Sequence, residues 1–351
     1  MSMIAPVTHF LPLTKIRRAR LLPVSGRVVV RVGQKVSAVD VVAESLGSGK
    51  HVIVDVWQAL GFSATSRSEK WVGRKVGETV QVGDVIAETG GLFRKVVRAP
   101  VEGQIIAIGG GQVLLETKGE GTAVLAGFSG VVEELVPERG AIIEGSGALI
   151  QGVWGNQRIG MGTLQVVASA PDEELRADRL DVSLRGAILV CGYCADAGVF
   201  AKASDLQIRG LILASMASSL IPAARKVDYP IVLVEGFGNL PFNQVAYKIL
   251  STNEKREVAV NAALWDIYQG ERPEIFIPLP AEGEMAAETD EFHPGQIVRI
   301  QGGDFPERTG RIVEVYPYPC PISNGLKVLA ARVELADRES VVPLANLDVI
   351  E

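Results

Sequence analysis

Cysteine, histidine and aromatic residues are scarce in this chain. Among 351 residues there are 3 Cys and 3 His, and Phe, Trp and Tyr together make up 6%. Three thiols cannot build a disulfide framework, which agrees with a reducing compartment. Cys320, His9, His51 and His293 have no finger-like spacing that would complete a zinc site with Cys191 and Cys194, so no metal is expected. Long apolar runs are missing as well. The longest charge-free stretch lies between Arg209 and Arg225 and is interrupted by Ser215, Ser218, Ser219 and Pro222. A spanning helix needs roughly 20 apolar residues, so no membrane span is expected. At the N-terminus the basic cluster Lys15, Arg17, Arg18, Arg20 follows the apolar part, the reverse of a secretory signal. The expectation is a cytoplasmic protein.

What is present points to strands. The chain is 47% hydrophobic and 22% charged, which excludes a largely disordered polymer. Its 38 glycines, with many Val and Ile, predict short strands joined by tight turns. The length suggests two to four domains. A net charge of −6 argues against a nucleic-acid coat, leaving one local basic patch at residues 15–20.

An internal repeat organises the first half. Gly33-Gln-Lys-Val-Ser-Ala-Val-Asp-Val-Val-Ala-Glu44 returns 44 positions later as Gly77-Glu-Thr-Val-Gln-Val-Gly-Asp-Val-Ile-Ala-Glu88, with six of twelve positions identical. Pro23-Val-Ser-Gly26 likewise returns as Pro100-Val-Glu-Gly103, and Phe128-Ser-Gly-Val-Val132 is a weaker echo. Glycine supplies the turns and alternating Val and Ile supply half-buried strands. These motifs over residues 20–168 resemble the biotinyl/lipoyl-like barrel-sandwich hybrid. That fold is a swinging-arm carrier in some proteins and a rigid adaptor in others, including membrane fusion proteins and RNA polymerase large subunits. The resemblance puts the carrier lysine at a hairpin tip, which falls on Gly91-Leu92; Lys95 comes three residues later, with no Asp-Lys or Met-Lys-Met. The adaptor form, without a cofactor, is the one expected.

From Pro171 the periodicity changes. Strands are predicted at 187–190, 210–214, 231–235 and 257–260, with helices at 195–206, 220–227 and 241–251. This alternation predicts a small parallel α/β domain over 171–268. Ligands of such sheets bind beyond the carboxyl ends of the strands. Cys191-Gly-Tyr-Cys194, Ser215–Ser219 and Gly236–Asn239 collect there. Ser218, Ser219, Gly236, Gly238 and Asn239 form a candidate anion site, although helix caps and turns account for the same residues. Cys191 and Cys194, read between a strand and a helix, form a candidate redox pair. The order of elements through Tyr229-Pro230 resembles thioredoxin, without that family's loop before the first Cys and with a helix where it has a hairpin.

Residues 269–291 read as an acidic, Pro-containing linker, with seven acids against one base over 271–291. Beyond it, Pro294-Gly-Gln-Ile-Val-Arg-Ile and Arg308-Thr-Gly-Arg-Ile-Val-Glu-Val315 resemble a KOW motif. The resemblance implies an SH3-like barrel over 292–351 that contacts RNA or proteins. Residues 290–351 carry six bases against ten acids, so nucleic acid is not supported by charge. Tyr316-Pro-Tyr-Pro-Cys-Pro-Ile322 suits a protein contact, and Tyr316, Tyr318, Phe305 and Arg311 are the partner-binding candidates.

The expected protein is multidomain and mainly β: an N-terminal arm (1–19), barrel-sandwich hybrid repeats, a small parallel α/β domain, a linker and a C-terminal SH3-like barrel. No nucleophile–base arrangement is legible. The reading is a non-catalytic scaffold or adaptor that binds other proteins or itself. A thiol–disulfide protein and a ribosome- or RNA-associated factor are the alternatives.

Overall fold

The computed structural model describes residues 4–47, 49–62, 69–90, 94–117, 119–266, 271–281, 283–287, 289–302, 308–322 and 325–351. The chain is mainly β, with several sheets. It divides into two compact units, one made of residues 1–20, 30–42 and 125–351, the other of 21–29 and 43–124.

Each unit holds one copy of the repeat, built on the same hydrogen bonds. In the first unit, Gly33 N–H donates to Val132 O (2.8 Å), Val132 N–H to Gln34 O (2.9 Å), and Ala126 N–H to Asp40 O (2.9 Å). In the second, Gly77 N–H donates to Ile105 O (2.7 Å), Ile105 N–H to Glu78 O (2.9 Å), and Ala99 N–H to Asp84 O (2.8 Å). The repeated aspartates close equivalent turns, accepting from Ser37 N–H (2.8 Å) and Gln81 N–H (3.1 Å). Gly33 (φ 80°) and Gly77 (φ 93°) occupy the left-handed region that side chains oppose. Gly103 is fixed by a second constraint: a Cβ there would lie 2.5 Å from Glu116 O. Gly130 meets Glu144 O in the same way.

In the larger unit an eleven-stranded sheet runs through both the repeat copy and the α/β layer. Its parallel part is ordered Ile231–Phe237, Gly210–Met216, Ala187–Cys194, Ile159–Val166. The fourth parallel strand is thus Ile159–Val166, and Glu257–Asn261 pairs antiparallel to it rather than extending the parallel set. Helices Gly198–Asp205 and Ile221–Ala224 pack on one face and Gln244–Thr252 on the other. Burial on both faces explains the unbroken apolar runs.

Two segments read as peripheral are integral to this unit. Glu274–Pro278, inside the supposed linker, is a buried strand between Glu257–Asn261 and Gly140–Gln151. Its core Ile275-Phe276-Ile277 outweighs the acids around it. In the supposed arm, Ile4–Thr8 pairs parallel with Leu347–Ile350 and antiparallel with Thr289–Glu291. It thereby completes a seven-stranded sheet with Ile297–Ile300, Thr309–Val315, Ala330–Glu334 and Glu339–Pro343.

Candidate functional site

The candidate redox pair does not lie in a strand-to-helix turn. The strand continues through Ala187–Cys194, so both cysteines belong to it, and the helix starts only at Gly198. Glu173–Leu175 extends this edge, with Tyr193 N–H donating to Glu173 O (3.1 Å) and Leu175 N–H to Tyr193 O (2.7 Å). Both thiols are free and buried. Burial pushes the Cys191 thiol well above its ordinary value, and burial pushes Cys194 up to about 11. A dithiol nucleophile needs exposure and a lowered pKa, so both features run against that chemistry.

The candidate anion residues follow two adjacent strands, paired up to Met216 and Phe237. Ser218 and Ser219 are exposed on a single 3-10 turn, followed by the short helix Ile221–Ala224, which has Pro222 in its first turn. Gly236 is buried within strand Ile231–Phe237, while Gly238 and Asn239 are exposed in the loop beyond it. That loop is closed by protein groups. Ser215 Oγ donates to Leu240 O (2.7 Å) and accepts from Leu240 N–H (2.9 Å). The following helix begins at Gln244, three residues past Pro241, because the Asn243 side chain caps it by accepting from Ala246 N–H (2.8 Å).

Beside that loop, at the carboxyl end of its strand, lies a feature that the sequence reading missed. Glu235 Oε1 accepts from Asn243 N–H (2.9 Å) and Nδ2 (2.7 Å). Its Oε2 accepts from Nη2 of Arg299 at 2.8 Å, and Nη1 of Arg299 reaches Val234 O at 3.2 Å. Arg299 is 1% exposed and comes from the seven-stranded sheet. Two further buried pairs lie in the same unit. Arg272 donates to both oxygens of Asp348 (2.7 and 3.1 Å) and to Thr8 Oγ1, with Trp265 stacked at 4.5 Å. Arg18 donates to Glu274 (2.7 Å), which also accepts from Gln151 Nε2 (3.0 Å). Burial works against the Glu274 charge, but Arg18, together with Arg20 and Gln151, outweighs it and holds the carboxyl below its ordinary range. Alternation around Val298 and Ile300 reads Arg299 as solvent-facing, and only the covered outer face makes it buried.

The basic patch is spent internally too. Lys15 pairs with Glu144 (3.0 Å), Arg17 with Glu133 (2.6 Å), and Arg20 Nε donates to Ala126 O (2.8 Å). Lys95, the lysine nearest the expected carrier tip, donates through Nζ to Leu60 O (3.0 Å). Gly91 and Leu92 themselves lie outside the described residues, as does Phe305.

A groove of about 560 Å³ on the C-terminal sheet is lined among others by Pro6, Phe292, Pro319, Lys327, Leu329 and Pro343. Tyr318, next to Pro319, is 77% exposed, whereas Tyr316 is half-buried. Arg311 is exposed and sits in register between Ile297 and Glu334. Leu326, 59% exposed, adds to this apolar surface. Among the described residues no group of His, Cys, Asp and Glu could hold a metal ion, and no helix is long and apolar enough to cross a membrane.

No protein-family model matches the chain, and no curated protein matches it.

Proposed function

We propose that this chain is a non-catalytic, cytoplasmic scaffold or adaptor subunit that works by protein–protein contact. In this reading the duplicated turn units are barrel-sandwich hybrids of the rigid adaptor kind. The seven-stranded sheet is an SH3-like module of the KOW type. The observation that carries the reading is the closure of the α/β layer. Where such sheets hold ligands, Ser215 bonds the Leu240 backbone, and Glu235 is consumed by Arg299 and Asn243. Among the described residues, the buried thiols count against a redox centre and the paired basic cluster against a polyanion footprint. The C-terminal sheet presents exposed apolar and aromatic surface at Tyr318, Leu326 and the proline-lined groove. Exposed aromatic and aliphatic surface of this type marks contact sites.

A tagged full-length chain recovered from native lysate tests the reading. A co-purifying protein retained by the wild type and lost by Tyr318→Ala/Leu326→Asp is expected. A chain that emerges with no partner, or that keeps its partner in that variant, contradicts the groove as the contact surface.

A further inference from the structure

The smaller unit contains a strand edge with the geometry to pair with itself. The four-stranded sheet is ordered His51–Asp55, Gln112–Glu116, Gly103–Gly109, Thr79–Val80, so His51–Asp55 is terminal. Its bonding parity is set by its neighbour. Thr117 N–H donates to Lys50 O (3.0 Å) and Val56 N–H to Gly111 O (3.0 Å). Even-numbered residues therefore face the Gln112–Glu116 strand, and the N–H and C=O groups of His51 and Ile53 point away from the sheet. Natural edges are usually blunted by lysine, proline or a bulge. Residues 51–55, His-Val-Ile-Val-Asp, contain neither lysine nor proline, and their pairing with 112–116 runs without a register shift. Ile53 is 63% exposed at the middle of this edge.

We propose that this edge joins a second copy of the chain, antiparallel and centred on Ile53, making one continuous eight-stranded sheet across a two-fold axis. The proposal rests on the scaffold reading and names its self-association surface. The register follows from the sequence of the strand. With Ile53 opposite Ile53 of the second copy, the outward-bonding residues pair 51 with 55, so each His51 faces an Asp55. The same face then carries an apolar centre flanked by two base–acid pairs, and the contact is isologous, as a two-fold dimer requires. A parallel arrangement in the same register sets Asp55 against Asp55, which repel, and gives His51 no acid across the seam. His51 also has Glu116 at 3.8 Å on its own sheet, so a second carboxylate supports the imidazole on that face. Edge addition uses main-chain hydrogen bonds for affinity and alternate side chains for register.

Sedimentation of the purified full chain over about 1 to 100 μM tests the pairing. Wild type should shift from monomer to dimer across this range. Ile53→Lys should weaken dimerisation at least tenfold, while Val76→Lys, at another exposed aliphatic residue of the same unit, should leave it unchanged. Register is read by mild oxidation in a Cys320→Ser background. Ile53→Cys should form an interchain disulfide. His51→Cys should not, because antiparallel pairing puts the two 51 positions about 13 Å apart, beyond disulfide reach. A wild type that stays monomeric throughout, or a dimer indifferent to Ile53→Lys, overturns the edge proposal. Equal crosslinking at positions 51 and 53 overturns the antiparallel register. A monomer that still captures a different protein from lysate overturns only the self-pairing and leaves the scaffold reading standing.

Discussion

Arg299 and Glu235 meet 2.8 Å apart with almost no access to water, one on the seven-stranded sheet and the other at the end of a parallel strand. The pair joins two layers that the sequence presents as separate modules, and through Asn243 it also anchors the helix Gln244–Thr252. Removing one partner of such a pair strands a buried charge, at a cost of about 3–5 kcal/mol. Arg299→Met and Glu235→Leu should each destabilise by that amount. The double variant should recover most of it, because two apolar groups of similar volume need no pairing. Urea denaturation measures all three. Single variants within about 0.5 kcal/mol of wild type would remove the pair from the energetics of the interface.

Thiol reactivity follows from burial. Cys191 and Cys194 are buried with raised pKa values, whereas Cys320 is partly exposed. Under native conditions near pH 8 a thiol reagent should label one cysteine per chain rapidly, and all three after denaturation. Fast labelling of Cys194 in the folded chain would reopen the redox reading.

Acid should weaken the fold in two steps. His9 is buried, and burial lowers its pKa from 6.5, with Arg18 and Arg272 lowering it further against Glu274 and the Ala287 backbone. Its Nδ1 also lies 3.7 Å from the Glu351 carboxylate. The unfolded chain therefore binds this proton more readily than the folded one. Stability from neutral His9 is complete above pH 6.5 and is lost as pH falls towards the folded value. Glu274, held below its ordinary 4.5, adds a second loss at lower pH. The urea midpoint should fall as pH drops below 6.5 in wild type, and should fall less over the same window in His9→Asn. A wild-type midpoint independent of pH in that window would contradict the assignment.

The repeat glycines are predicted to be intolerant. Gly77→Ala forces a side chain to φ 93°, and Gly103→Ala drives a Cβ against the Glu116 carbonyl. Each should cost about 1–3 kcal/mol by thermal or urea unfolding. Gly90→Ala, where a Cβ meets open space, serves as the control.

Features with a local cause could be read from the sequence. Gly33 and Gly77 announce left-handed turns, Asp40 and Asp84 the closure of the turns that follow, and the apolar run Ile231–Val234 a strand covered on both faces. Features set by tertiary contact could not. Glu274 lies among acids and prolines that look solvated, yet Arg18 and Gln151 neutralise it inside the sheet. Ile4–Thr8 shows no sign of the partner it finds at Leu347–Ile350, more than 300 positions away. Cys191-Gly-Tyr-Cys194 matches a redox spacing, but spacing does not reveal that the strand continues through it. The start of the third helix is a related case: the helix begins at Gln244, past Pro241, because Asn243 caps it, which the proline alone does not reveal.

The most direct measurement of the scaffold account is the native mass of the assembly that the full-length chain forms in its own lysate, with its components identified. The account predicts a defined complex heavier than the 37.4 kDa of one chain, whose partner is released by Tyr318→Ala/Leu326→Asp. A species with the mass of a single chain, the same in wild type and variant, would contradict it.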